Sequence, residues 1–413
     1  MLKHSLLIAA LLSCPALWAQ ESGVFVSNLK TLRVEVNGQW DADPVMLLAT
    51  GQSVNISFDD LQHNYVRYTY HITHCNADWQ QSELTESEYM DGFNDRPIEQ
   101  YETSMSTAML YNHYTLSLPN EEVRRLLVSG NYRVDIYQED KDEPVARACF
   151  SITEDKVGIG AEITANTDID TYARHQQVNL SVNYKTYAVS HPEQELRPVV
   201  MQNRRWDTRR FGLRPTYMRG QTLDYSHNRQ LIFPAGNEYR RFEIVDEDVP
   251  TMRVDHVAFE DPYYHADIQT DEQRTNYIYD QDQDGRYYVR GKDEGDECEY
   301  IFTHFRLNMP QLAGGDLFIQ GDLTNGRLAE DYKMEYDLLD HSYKITLPLK
   351  QGSYNYQYLF VRNGQQQGST AETEGDFFQT ENEYNIYVYH RPFGERYDRL
   401  VGYKRLTFTG QKQ

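Results

Sequence analysis

The densest run of ligand-type side chains is His71-Ile72-Thr73-His74-Cys75, with Asp78 three residues on. Imidazole and thiolate bind zinc when they converge on one point. In an extended strand side chains alternate, so His71 and Cys75 share one face and His74 takes the other. The run therefore reads as structural histidines. A second run, Asp280-Gln281-Asp282-Gln283-Asp284-Gly285, places oxygen ligands and a glycine as the first half of an EF-hand loop does. The bidentate glutamate that should close such a loop is replaced by Gly291, and Tyr287-Tyr288-Val289 has strand character. Asp-Gly is a strong turn signal, so an acidic hairpin turn is expected here. No nucleophile elbow, zincin motif, P-loop or dinucleotide fingerprint occurs, and no carboxylate pair stands out as a glycosidase pair. The expectation is a protein without enzymatic activity, cofactor or metal.

The elements that must carry these side chains are strands. Val54–Phe58, Val66–Ile72, Tyr132–Tyr137 and Tyr384–Tyr389 alternate with the period of two of half-buried strands. One helix is expected after Asn120, which precedes Glu121 and Glu122 as an N-cap would, with Gly130 past the end. The 33 tyrosines among 413 residues supply too much buriable ring area for a disordered chain. A formal charge of −23 repels phosphate backbones, which argues against nucleic-acid binding.

Residues 1–19 read as a cleaved secretory signal, with Lys3 ahead of an apolar Leu6–Leu12 core and Ala19 at the scissile position. Lipidation at Cys14 is the weaker pattern, because the apolar stretch continues through Trp18. Three cysteines then remain, too few for a disulfide framework. A Cys75–Cys149 bridge and three buried thiols are both open.

Ser129-Gly130-Asn131-Tyr132, Ala235-Gly236-Asn237-Glu238-Tyr239 and Gln351-Gly352-Ser353-Tyr354 each set a glycine shortly before a strand-opening tyrosine. Such tyrosines form corners in β-sandwiches, and their recurrence at about 110 residues matches one immunoglobulin-like domain each. The expected fold is all-β, with three consecutive immunoglobulin-like or early-set β-sandwiches after the signal peptide. The domains are expected at 20–155, 156–297 and 298–413, divided at the polar segments Thr153–Lys156 and Gly291–Glu297.

Two resemblances add to this. The run Gly314–Asn325 with Tyr343–Gly352 resembles the early-set sandwich of glycogen- and starch-binding modules, although Gly326 stands where those modules usually place a sugar-stacking tryptophan. More extensively, Tyr68-Thr69-Tyr70-His71-Ile72-Thr73-His74-Cys75-Asn76-Ala77-Asp78-Trp79, Phe233–Arg240 and the terminal His390–Gly402 resemble the type IX secretion system plug family of Bacteroidetes. That resemblance implies a periplasmic, non-enzymatic protein that caps the periplasmic mouth of a very large outer-membrane β-barrel translocon. It implies no membrane insertion and no catalysis. With three domains expected to run to the polar Gln411–Gln413 end, a C-terminal sorting domain is not expected and retention in the periplasm is. Arg391, Pro392, Phe393, Arg396, Tyr397 and Arg399 are expected to contribute to the partner interface, since arginine and aromatics are enriched at hot spots. The alternative for this run is an edge strand and tail packed on the third domain. For the whole chain, the alternative is a glycan-binding envelope protein.

Overall fold

A computed structural model describes residues 22–139, 141–292 and 297–410. The expected leader, Cys14 and the terminal Gln411–Gln413 lie outside these residues, as do residues 293–296 of the expected second boundary. The described chain is nearly all strand, arranged as sandwiches around three separate hydrophobic cores.

The first sandwich is built from β1 (Leu29–Val36), β2 (Val54–Asp60), β3 (Tyr68–Cys75), β4 (Asn112–Leu118), β5 (Gly130–Gln138) and β6 (Ala146–Thr153). One sheet runs β6-β5-β3 and the other β1-β2-β4, all antiparallel. Alternation buries Val54, Ile56 and Phe58 against Tyr68, Tyr70 and Ile72. Residues after Asn120 depart from the expected helix. Val123–Leu126 is a strand paired with Met90–Gly92, and Asn120 accepts from the Glu122 and Val123 amides at 3.0 and 2.8 Å as the head of a turn. An N-cap residue and a turn-forming asparagine offer the same local bond, and burial of Val123 in the sandwich decides between them.

The second core begins with β7 (Gly158–Thr164), β8 (His175–Asn183) and β9 (Leu196–Gln202). Three short strands, Tyr217–Arg219, Thr222–Asp224 and Ile232–Pro234, complete this first visit, and the chain then leaves to form a complete third sandwich. That unit comprises β10 (Arg240–Ile244), β11 (Val254–Glu260), β12 (Tyr263–Ile268), β13 (Tyr300–Asn308), β14 (Gly315–Gln320), β15 (Ser342–Lys350) and β16 (Gly352–Arg362). One of its sheets runs β11-β12-β13-β15; the other has β10 and β14 on β16. Finally β17 (Asn382–His390) and β18 (Arg399–Phe408) return to the second core, where β17 pairs β9 from Leu196↔His390 to Gln202↔Tyr384.

The third sandwich is therefore an insertion within the second rather than its successor. The expected division at 297/298 cuts through the inserted unit, whose core already includes Phe242, Ile244 and Val257. The last two strands, assigned by sequence to the third domain, bury Tyr384, Ile386, Val388 and Val401 in the second. Tyrosine spacing misplaced the boundary for a physical reason. Tyr132 donates to the Val128 carbonyl at 2.8 Å and Tyr354 to that of Lys350, both corner bonds. Tyr239 instead accepts from Gln357 at 2.9 Å and precedes β10 of the same sandwich that holds Tyr354.

Cys75 and Cys149 are buried and unbridged. They sit on β3 and β6 with β5 between them, opposite Asn131 and Arg133. Two strand spacings put them roughly 10 Å apart, beyond the ~4.4–6.8 Å between Cα atoms that a disulfide spans. Burial pushes the Cys75 thiol up to about 12, leaving it protonated and unreactive.

Candidate functional site

A set of the charged side chains that the fold buries lies between the sandwiches. Asp59, at the end of β2, receives the Lys350 ammonium at 2.8 Å and the Tyr300 hydroxyl at 2.6 Å, both from the third sandwich, with His113 of β4 at 2.6 Å. Burial would raise the Asp59 carboxyl, but Lys350 and His113 outweigh it and hold it below the usual carboxylate range. Lys350 also lies 3.9 Å over the Tyr111 ring. Asp43 of the first sandwich accepts from Tyr403 of β18 and faces Arg405 at 3.7 Å. Between the second and third, Arg204 pairs with Asp322 and Arg286 with Glu383, each at 2.7 Å. A cavity of about 150 Å³ marks the three-way meeting, lined by Arg33 and Asp43, Arg204 and Trp206, and Tyr287 and Asp322.

The terminal run lies at another of these seams. Arg396 pairs with Glu88 and donates to the Glu83 carbonyl at 3.3 Å, both in the first sandwich. Tyr397 sets its ring edge-on to His74 at 5.4 Å and packs against the first core. Arg399 covers Tyr397 and pairs with Glu395 at 3.4 Å, and Arg391 bonds the Glu395 carbonyl at 3.2 Å. Asp398, which the sequence reading did not single out, accepts from the Ala77 amide at 3.0 Å. The run is thus the β17–β18 loop gripping the first sandwich, and the third domain is not its support. Phe393, beside Pro392, projects from the same loop at 99% exposure.

His71 and His74 take opposite faces of β3. His71 meets Asp95 at 3.0 Å near the surface. His74 is buried between the Ser82 hydroxyl at 2.8 Å and the Ser129 carbonyl at 3.1 Å. A carbonyl only accepts, so Nε2 carries the proton and Nδ1 accepts from Ser82. Burial drives this imidazole down to about 4, partly opposed by the Ser129 carbonyl. Gly130, at φ 135°, is needed because a Cβ there would collide with the His74 ring.

The Asp280–Gly285 run forms a turn in which Asp282 is spent on backbone amides and Asp280 on an arginine. Asp282 accepts from the Asp284 amide at 2.8 Å and from the Tyr239 amide, while Asp280 pairs with Arg241 at 2.6 Å. Burial pushes the Asp282 carboxyl up to about 7, and burial together with the Asp282 charge holds that of Asp284 well above the usual carboxylate range. Among the described residues, no three His, Cys, Asp or Glu side chains are grouped to hold a metal ion. The Thr324-Asn325-Gly326 turn faces the first sandwich, where Asn325 donates to the Leu32 carbonyl at 2.9 Å. Among the described residues, no helix is long and apolar enough to cross a membrane.

The fold leaves other apolar groups exposed that lie outside every sequence motif. Leu338 and Leu339 are 72% and 91% exposed in one turn, and Met105 is 83% exposed in another. The two adjacent leucines between Asp337 and Asp340 were a signal, since turns seldom spend apolar residues at their tips.

A family model described as the type 9 secretion system plug protein 1st domain matches residues 29–154, which is the first sandwich. No curated protein matches the chain. Among solved structures, a hypothetical protein from Parabacteroides merdae ATCC 43184 is 42% identical, covering 94% of this chain and 100% of its own with a TM-score of 0.92. The C-terminal domain of the antigen I/II-family protein AspA of Streptococcus pyogenes is 8% identical over 91% of this chain and 98% of its own, at a TM-score of 0.17. The corresponding BspA domain of Streptococcus agalactiae is 7% identical over 91% and 99%, at 0.16. Neither streptococcal domain informs the fold or the function. The first sandwich carries the family's own domain, and the Parabacteroides merdae protein carries the same architecture along nearly the whole chain: this protein belongs to the type 9 secretion system plug family.

Proposed function

We propose that the protein is a non-enzymatic periplasmic plug that caps the periplasmic opening of the giant outer-membrane β-barrel translocon of its secretion system, sealing the channel while no substrate is engaged. The observation that carries this reading is the family match across the first sandwich. The architecture suits it. A seal must keep its shape when loaded, and insertion of one sandwich into another, with Asp59, Arg204 and Arg286 paired across the seams, joins three cores into one body. Within the terminal run, Arg396, Tyr397 and Arg399 are already paired with other groups of the protein, which leaves Phe393 to reach the barrel.

The test is a pull-down of the tagged mature protein from envelope extracts, read by mass spectrometry. Recovery of one very large outer-membrane barrel is expected, and recovery of polysaccharide enzymes instead would sink the reading. Phe393→Ser should reduce recovery of the barrel severalfold with the melting temperature nearly unchanged, because a side chain at 99% exposure supports no internal packing.

A further inference from the structure

The hairpin between Glu335–Asp337 and β15 ends in Leu338-Leu339-Asp340-His341. Its conformation is accounted for without the leucines. Asp337 accepts from the Leu339 and Asp340 amides at 2.8 and 3.3 Å, and His341 takes the left-handed conformation at φ 53°. Lys344 bonds Asp337 at 2.8 Å and also Asp340, which Arg306 faces at 3.7 Å. Beneath, the Tyr336 and Tyr343 rings meet edge-on at 4.8 Å. The turn is pinned on every side, yet it holds two leucines out in water at 72% and 91% exposure.

Its position is polar in the geometric sense. β15 runs from this turn to Lys350, which is seated on Asp59 of the first sandwich, so the leucines stand roughly 27 Å along the strand from that seam. The surrounding charge is acidic: Glu272, Glu335, Asp337 and Asp340 outnumber Arg306 and Lys344. With a chain charge of −23, such a tip gains nothing from a lipid headgroup surface. It is complementary to an apolar slot rimmed by lysine or arginine on a protein. A rigid turn loses little conformational freedom on docking, which favours use as an anchor.

We propose that Leu338 and Leu339 form a preorganised docking tip that enters a basic-rimmed apolar slot on the periplasmic side of the translocon barrel. This rests on the plug reading and adds a second contact, independent of Phe393. The test compares the tagged full mature chain with its Leu338→Ser, Leu339→Ser form in a host lacking the native copy. Barrel recovery is quantified by mass spectrometry, melting temperature by scanning fluorimetry, and lipid binding by flotation with phosphatidylcholine–phosphatidylglycerol vesicles. The double variant should recover at least about tenfold less barrel, with a melting temperature within about 1 °C of the parent. The single Leu339→Ala change, which leaves the turn bonds in place, should show a smaller loss in the same direction. If the parent recovers the barrel and both variants recover it equally, the tip assignment falls and the plug reading stands. If the parent recovers no barrel, the plug reading falls and takes the tip with it. Vesicle binding by the parent that the double variant loses would assign the leucines to a bilayer and overturn the proposal.

Discussion

At the residue scale, His74 shows how burial sets chemistry. A histidine in a ligand-like run invites a metal, but the strand period already separated it from His71 and Cys75. What the linear order did not contain was its enclosure by Ser82 and Ser129, which lie 8 and 55 residues away. That enclosure makes a pH dependence. The folded imidazole titrates near 4 and the unfolded one near 6.5, so between these values the unfolded chain binds more protons. Stability contributed above pH 6.5 is therefore lost as the pH falls to 4, by about 3 kcal/mol from this group. The Asp282 carboxyl, raised to about 7, acts with the opposite sign: its folded form binds the extra proton, and stability falls as the pH rises toward 7. The two slopes overlap, so the measurement is the difference between His74→Gln and the parent in urea titrations from pH 4 to 7. The variant should be the less pH-sensitive in the acid direction, and parallel curves would show that His74 charges freely in the folded state.

At the element scale, alternation located β2, β3, β5 and β17 to within a few residues, because one buried face and one exposed face write a period of two into any half-buried strand. Partner choice left no such mark. Tyr384-Asn385-Ile386-Tyr387 reads as a strand in any sandwich, and only its register with Leu196–Gln202 assigns it to the second. The segment after Asn120 failed for a related reason, since Glu121 and Glu122 beside Val123 satisfy a helix start and a turn equally well. The insertion carries a direct consequence. A fragment spanning 238–376 contains the complete third core together with its buried Arg240–Asp271 and Arg240–Glu374 pairs, and should unfold cooperatively by circular dichroism. A fragment spanning 298–413 lacks β10, β11 and β12 and carries β17 and β18 without β9, so it should show no cooperative transition. Cooperative melting of 298–413 would restore the consecutive arrangement.

At the scale of the whole molecule, the lock at Asp59 decides whether the sandwiches act as one body. Asp59 is fully buried and Lys350 nearly so, and removing one partner strands the other charge without solvent. Asp59→Ala should cost about 3–5 kcal/mol of stability by chemical denaturation, and adding Lys350→Met should recover most of that loss. A loss below about 1 kcal/mol would mean that solvent reaches the seam. By itself the sequence determined the all-β class, the sandwich corners at Tyr132 and Tyr354, the split of the histidine run and membership in the plug family. Each rests on periodicity or on residues close together in the chain. Only the tertiary structure decided that the third sandwich is inserted in the second, that the acids and bases scattered over more than 300 residues pair across the seams, and that Tyr397 packs on the first core and Arg396 pairs at its surface with Glu88 while Phe393 and Leu338-Leu339 stand free in solvent. A strand's alternation says which side chains are buried; it carries no information on which sheet, or which neighbouring sandwich, buries them.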